Sequence, residues 1–79
     1  MSQERELYKE YYKTLGLRIQ YFRKLRGYTQ ESFAELVDIS SSFLSQVESS
    51  ASLKGISLET MFKIADALQI EPYQLLKHE

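Results

Sequence analysis

The sequence predicts an all-α domain of five helices, the first of them extended at its amino end. Three observations lead there. Apolar residues recur at three- and four-residue intervals, and nothing alternates with period two over a useful length. Hydroxyl residues stand just ahead of three periodic runs, at Thr29, Ser40 and Ser57, where an N-cap accepts a bond from an orphan backbone N–H. Gly27 and Pro72 sit where one helix should stop and another should open.

The first helix is expected over about residues 4–26, with Tyr8, Tyr11 or Tyr12, Leu15, Ile19, Phe22 and Leu25 in its periodic set. A bend at Gly16 is an open alternative, and Gly27 takes the C′ position. The second helix should span about 30–37 and bury Phe33, Ala34 and Val37; the third should span about 41–48 and bury Leu44 and Val47. A small, polar loop, SSASLKGI, follows. Ser57 caps a fourth helix with Leu58, Met61, Ile64, Ala65 and Leu68 on one face, and Glu59 near its start suits the dipole. Pro72 opens a short fifth helix carrying Tyr73, Leu75 and Leu76.

Tyr28 to Glu48, YTQESFAELVDISSSFLSQVE, is the most informative stretch. Tyr28 pairs with Phe33 and Ile39 with Leu44, in each case an apolar residue before the cap and another one turn into the helix. That is the spacing of a hydrophobic staple. Two staple-and-cap units around a turn at Asp38 describe helix, tight turn and helix, the arrangement of a DNA-binding helix-turn-helix.

The whole chain narrows the classes further. Seventy-nine residues make one small domain with little room for an enzyme cleft. There is no cysteine, so disulfides and Cys-based metal sites are excluded. No apolar run approaches the roughly 20 residues that span a bilayer. The start, MSQERELYKE, lacks a signal-peptide core, so a cytoplasmic location is expected. His78 is the sole histidine and lies beside the chain end; Glu31 and Glu35 read as helix-surface charges. No catalytic, cofactor or metal site is expected.

A net charge of −1 argues against indiscriminate nucleic-acid binding, but the charge is unevenly placed. Residues 15–30 carry Arg18, Arg23, Lys24 and Arg26 and no acid, whereas residues 31–50 carry Glu31, Glu35, Asp38 and Glu48 and no base. The basic stripe is either a phosphate-contacting edge or a solvated helix end favoured by the dipole.

The stretches LGLRIQYFRKLRGYTQESFAEL, ISSSFLSQVE and ISLETMFKIADALQI, in that order, resemble the Cro/CI-type (XRE-like) helix-turn-helix family of phage repressors and small bacterial regulators. The resemblance covers about Leu15 to Leu76. It implies a lambda-repressor-like DNA-binding domain at 15–79, preceded by a helical extension at 1–14. It further implies that the third helix lies in the DNA major groove.

By position, Ser41, Ser42 and Gln46 match base-contacting residues, and Ser45, grouped with them as a base contact, matches a position beside the sugar-phosphate wall or a thymine methyl. Gln30 matches a phosphate contact at the start of the second helix, and Phe43 a position along the groove wall or over a thymine methyl. Ala34 matches the small residue between the two helices. Arg23 and Glu48 match a partly buried structural ion pair, which leaves Arg18, Lys24 and Arg26 for phosphate or solvent.

Three departures stand out. Asp38 holds the turn position usually given to Gly, so it must accept a positive φ. Ser49-Ser50 replaces the family's Gly after the final Glu. The loop to the fourth helix is about two residues longer, and Lys54 on it is either a DNA-backbone contact or a solvated lysine.

The expected reading face holds no Arg or Lys, so a guanidinium-to-guanine contact is not available from the third helix. Gln46 can pair with adenine, and shape readout and a second copy of the protein are expected to supplement it. Ile70, Tyr73, Leu75 and Leu76 form the expected homodimer surface, with Tyr8, Tyr11 and Tyr12 as possible contributors. The expected function is a sequence-specific double-stranded DNA-binding regulator, a repressor on a palindromic operator. The competing function is an antitoxin or adaptor that uses the fold to hold a protein partner.

Overall fold

A computed structural model describes the backbone of residues 2–77 and the side chains of residues 8–77; His78 lies outside the described residues. Four α-helices follow one another: α1 (Ser2–Leu25), α2 (Gln30–Leu36), α3 (Ser41–Glu48) and α4 (Leu58–Leu68). A 3-10 turn, Pro72–Leu75, closes the order, and the described residues contain no strand.

The expected fifth α-helix is therefore corrected to a single 3-10 turn. Four residues are too few to close a stable α-helical turn, and the i→i+3 pattern is the tighter solution for short pieces. Gln74 N–H donates to Glu71 O at 2.9 Å and Leu76 N–H to Tyr73 O at 3.0 Å. Glu71 N–H in turn donates to the Gln74 side-chain oxygen at 3.1 Å. This turn drives Leu75 into the core, where none of it is exposed.

Leu15, Ile19 and Phe22 of α1 meet Phe33 and Ala34 of α2, Leu44 and Val47 of α3, and Ile64, Ala65 and Leu68 of α4. Burying each of the large side chains contributes on the order of 1.5–3 kcal/mol. The expected apolar faces are corrected at Tyr8, Leu25 and Leu58, and the choice between Tyr11 and Tyr12 falls on Tyr12. Tyr8 and Tyr11 are more than half exposed, as are Leu25 at the end of α1 and Leu58 at the start of α4. Periodicity places a residue on a face but does not say where the neighbouring element stops. Tyr12 is the half-buried member of the tyrosine set.

Gly16 does not break α1, which runs unbroken across it. Its missing side chain admits α3: a Cβ there would collide with the Val47 carbonyl oxygen and lie 3.3 Å from Glu48 Cα.

Three helices end alike. Gly27, Asp38 and Gln69 all take a left-handed φ, at 84°, 62° and 62°. Behind each, the next residue donates back across the final turn: Tyr28 to Arg23 O, Ile39 to Ala34 O and Ile70 to Ala65 O, at 2.9–3.0 Å. This is the Schellman pattern. Asp38 tolerates the conformation better than a long unbranched side chain does. Gln69→Gly is accordingly expected to stabilise the protein by about 0.5–1 kcal/mol, the relief of a left-handed non-Gly residue less the extra unfolded-chain entropy of glycine. A higher urea midpoint at unchanged slope would verify this; an unchanged midpoint would refute it.

Candidate nucleic-acid interface

The site grows from the two caps. Thr29 Oγ1 accepts from Ser32 N–H at 3.0 Å while Ser32 Oγ accepts from Thr29 N–H at 3.0 Å, a reciprocal box at the start of α2. Ser40 Oγ accepts from Phe43 N–H at 2.9 Å and starts α3. Both staples are in place: the Tyr28 and Phe33 rings lie 5.3 Å apart, and half-buried Ile39 packs on the core that holds Leu44. Between them the Asp38 turn sets the angle of α3.

At 100° per residue, Ser41, Ser45, Ser42 and Gln46 fall within about 140° of the α3 circumference. All four are exposed. Leu44 and Val47 occupy the opposite side and are buried, and Phe43 lies between the two sides and is half-buried. The serines and glutamine are thus displayed on a helix whose rotation is locked from behind.

A buried ion pair supplies the second lock. Arg23 Nε donates to Glu48 Oε2 at 2.8 Å and Arg23 Nη2 to Glu48 Oε1 at 2.9 Å, a two-pronged fork between α1 and α3. Arg23 Nη1 also donates to Tyr28 O at 2.8 Å. The two side chains are 6% and 2% exposed, so the pair is cut off from water and its hydrogen bonds must satisfy it.

Gln30 joins the same pair. Its Nε2 donates to Glu48 Oε1 at 2.9 Å, so the first residue of α2 is tied to the last residue of α3. One amide proton is therefore committed to Glu48.

The basic stripe resolves into separate tasks, and the expectation that Arg18 and Arg26 stand clear of the protein is corrected. Arg18 Nε donates to Gln74 O at 2.9 Å, and its guanidinium lies 5.1 Å from the Phe22 ring centroid. Arg26 Nε donates to Leu68 O at 2.8 Å at the end of α4. Both orphan carbonyls belong to distant segments, and position along the chain gives no sign of that. Lys24 is exposed.

Lys54 is exposed on the loop after α3, with its ammonium 5.8 Å from the Phe43 ring centroid. At an exposed site that contact is worth about 0.5–1 kcal/mol, so a phosphate can compete for the ammonium. The loop needs no glycine after Glu48, because Ser49 leaves α3 in an extended conformation, φ −79° and ψ 127°.

Of the expected dimer residues, Leu75 is corrected: it is a core residue and offers no surface. Tyr73 and Leu76 are exposed and Ile70 is half-buried. Among the described residues no group of His, Cys, Asp or Glu is arranged to hold a metal ion, and no helix is long and apolar enough to cross a membrane. Two features of the site lie outside the sequence reading. The Gln30–Glu48 bond has no local signal; the contact of α3 with Gly16 had one, an isolated glycine inside a helical period, which also fits a bend.

Comparison with known proteins bears on the same residues. A helix-turn-helix family model matches residues 19–75, most of the chain and the whole of the α2–turn–α3 unit. The chain belongs to the XRE-type helix-turn-helix family. It is a transcriptional regulator with a helix-turn-helix DNA-binding domain.

A Bacillus subtilis relative, the uncharacterized HTH-type transcriptional regulator YazB, is 41% identical over 64 residues, spanning 81% of this chain and 90% of its own. Among solved structures, the restriction-modification controller C.AhdI of Aeromonas hydrophila superposes with a TM-score of 0.73 at 33% identity, covering 81% of this chain and 94% of its own. The hypothetical transcription factor NHTF from Neisseria gives 0.77 at 30% identity, over 85% and 75% of the two chains. The clp gene regulator ClgR from C. glutamicum gives 0.72 at 28% identity, over 82% of each. The family match begins within α1, so nearly five turns of that helix precede it.

Proposed function

We propose that this family member is a repressor that binds a palindromic operator as a homodimer, with α3 of each protomer in the major groove. The observation that carries the reading is the α3 surface itself. Four polar side chains share one exposed face, while Leu44, Val47 and the Arg23–Glu48 pair fix the other. A helix locked in rotation and bare of its own partners on one side is what base reading requires.

In this reading Gln46 pairs with an adenine edge, and Ser41, Ser42 and Ser45 make close, less selective contacts with neighbouring bases. Phe43 packs on the groove wall. Gln30, Arg26 and Lys54 meet phosphates, Gln30 through the amide atoms that Glu48 leaves available and Arg26 through the guanidinium nitrogens not bonded to Leu68 O. Residues 15–79 form the DNA-binding domain and residues 1–14 extend its first helix. Tyr73, Leu76 and Ile70 give the second copy an apolar surface. Repression needs only occupancy of a site that overlaps a promoter, and it places the protein in the cytoplasm.

With so few cations at the base-reading surface, specificity rests on Gln46 more than on any other side chain. Gln46→Ala is expected to leave the thermal midpoint unchanged, since the residue is exposed. It should flatten the base preference at one position in each half-site, a discrimination of about 1–3 kcal/mol. Titration of the selected duplex and of its single-base variants measures this. Equal preferences in wild type and mutant would remove Gln46 from the reading face.

A further inference from the structure

We propose that Tyr12, on the part of α1 ahead of the family match, is a positioning residue for DNA binding: its ring seats Gly55 and so holds Lys54 at the edge of the reading face for a phosphate contact. The inference rests on the major-groove reading above and adds a role for the amino-terminal part of α1.

One face of α1 follows α3 and the chain that leaves it. Arg23 grips Glu48 through two hydrogen bonds, and Gly16 rests on the backbone of Val47 and Glu48. Tyr12 is one turn further back on the same face, about 6 Å along the axis. There its ring meets the loop: a Cβ on Gly55 would lie 3.1 Å from the Tyr12 ring carbon Cε1, tighter than ordinary packing, so the loop backbone approaches the ring directly. Tyr12 is half-buried, while Tyr8 and Tyr11 beside it are more than half exposed.

Lys54 is the residue before that contact. Its ammonium stands 5.8 Å from the ring of Phe43, the side chain on the border between the displayed and buried sides of α3. In the loop 49–57 the hydrogen bonds Ser52 N–H to Ser49 O and Ala51 N–H to Ser49 Oγ lie at its first residues, and beyond Lys54 the chain is held by packing, with Ile56 against the core and Gly55 against Tyr12. The Tyr12 ring is therefore the brace nearest Lys54, one residue before the core contact of Ile56. A loop lysine that is free to wander loses conformational entropy on reaching a phosphate, and one held at the groove edge loses less.

The test is a salt titration of the full chain on its selected duplex. Lys54→Ala should lower the slope of log K against log salt by about 0.9 per protomer, and one contact at 0.1 M salt is worth roughly tenfold in affinity. Tyr12→Ala should weaken binding in wild type and add nothing in the Lys54→Ala background, whereas Tyr12→Phe, which keeps the ring, should bind as wild type. Gly55→Val lifts the loop from its own side and should repeat the Tyr12→Ala result without touching α1, which covers the case that Tyr12→Ala does not fold.

An unchanged slope in Lys54→Ala, full affinity in Gly55→Val, or an equal further loss from Tyr12→Ala when Lys54 is already gone would each overturn the proposal. Absence of any bound duplex with wild-type protein would instead overturn the major-groove reading, and this proposal with it.

Discussion

Glu48→Ala is expected to destabilise the protein by about 3–5 kcal/mol, because it strands the Arg23 guanidinium in a site nearly closed to water. The same substitution removes the acceptor of Gln30 Nε2, so three helices lose a common tie. In a domain of this size each kcal/mol is worth roughly 4–8 °C, so the thermal midpoint should fall by more than about 10 °C. The contrast with the double variant is more informative than the drop. Arg23→Met with Glu48→Leu removes both charges, and its midpoint should lie well above that of Glu48→Ala. Replacement of a buried pair by apolar side chains is often neutral or stabilising. A double variant as unstable as the single would show that the shape of the pair, rather than its charge balance, holds α3.

Gly16→Ala sets local preference against packing. In an isolated helix the change should stabilise by about 1 kcal/mol, since alanine is the better helix former. In this protein the added methyl meets the Val47 carbonyl and the Glu48 backbone, and backbone cannot move aside as a flexible side chain does. Overpacking of this kind costs about 1–3 kcal/mol, so the sign should reverse. Denaturant unfolding measures the net. Displacement of α3 should also weaken operator binding, because Ser41, Ser42, Ser45 and Gln46 move with it. A stabilised Gly16→Ala protein would mean that α1 and α3 do not approach as closely as described.

These two positions also show where the sequence was legible. Helix ends were, because caps are local chemistry: Thr29, Ser40 and Ser57 each accept their N-cap bond, Gly27 takes the left-handed φ of a C′ glycine, and Asp38 takes the positive φ that the family resemblance implied. The outward set on α3 was equally readable, since Leu44 and Val47 fix the rotation of an eight-residue helix.

What stayed hidden depends on elements far apart in the chain. Nothing in the neighbourhood of Arg18 or Arg26 names Gln74 O or Leu68 O as its partner. Leu75 and Leu76 are adjacent and chemically alike, yet one is core and the other surface. The four-residue turn that separates them is too short to show a period. Gly16 carried a signal with two meanings, and only the position of α3 separates close approach from a bend.

The most direct test of the reading face is selection by the wild-type chain from a random duplex library. A rigid α3 bearing Ser41, Ser42, Ser45 and Gln46, presented twice by a homodimer, predicts an enriched inverted repeat with half-site centres about one helical turn apart. It also predicts an adenine-containing step in each half-site. Binding with no enriched sequence would contradict the assignment of that face to base reading.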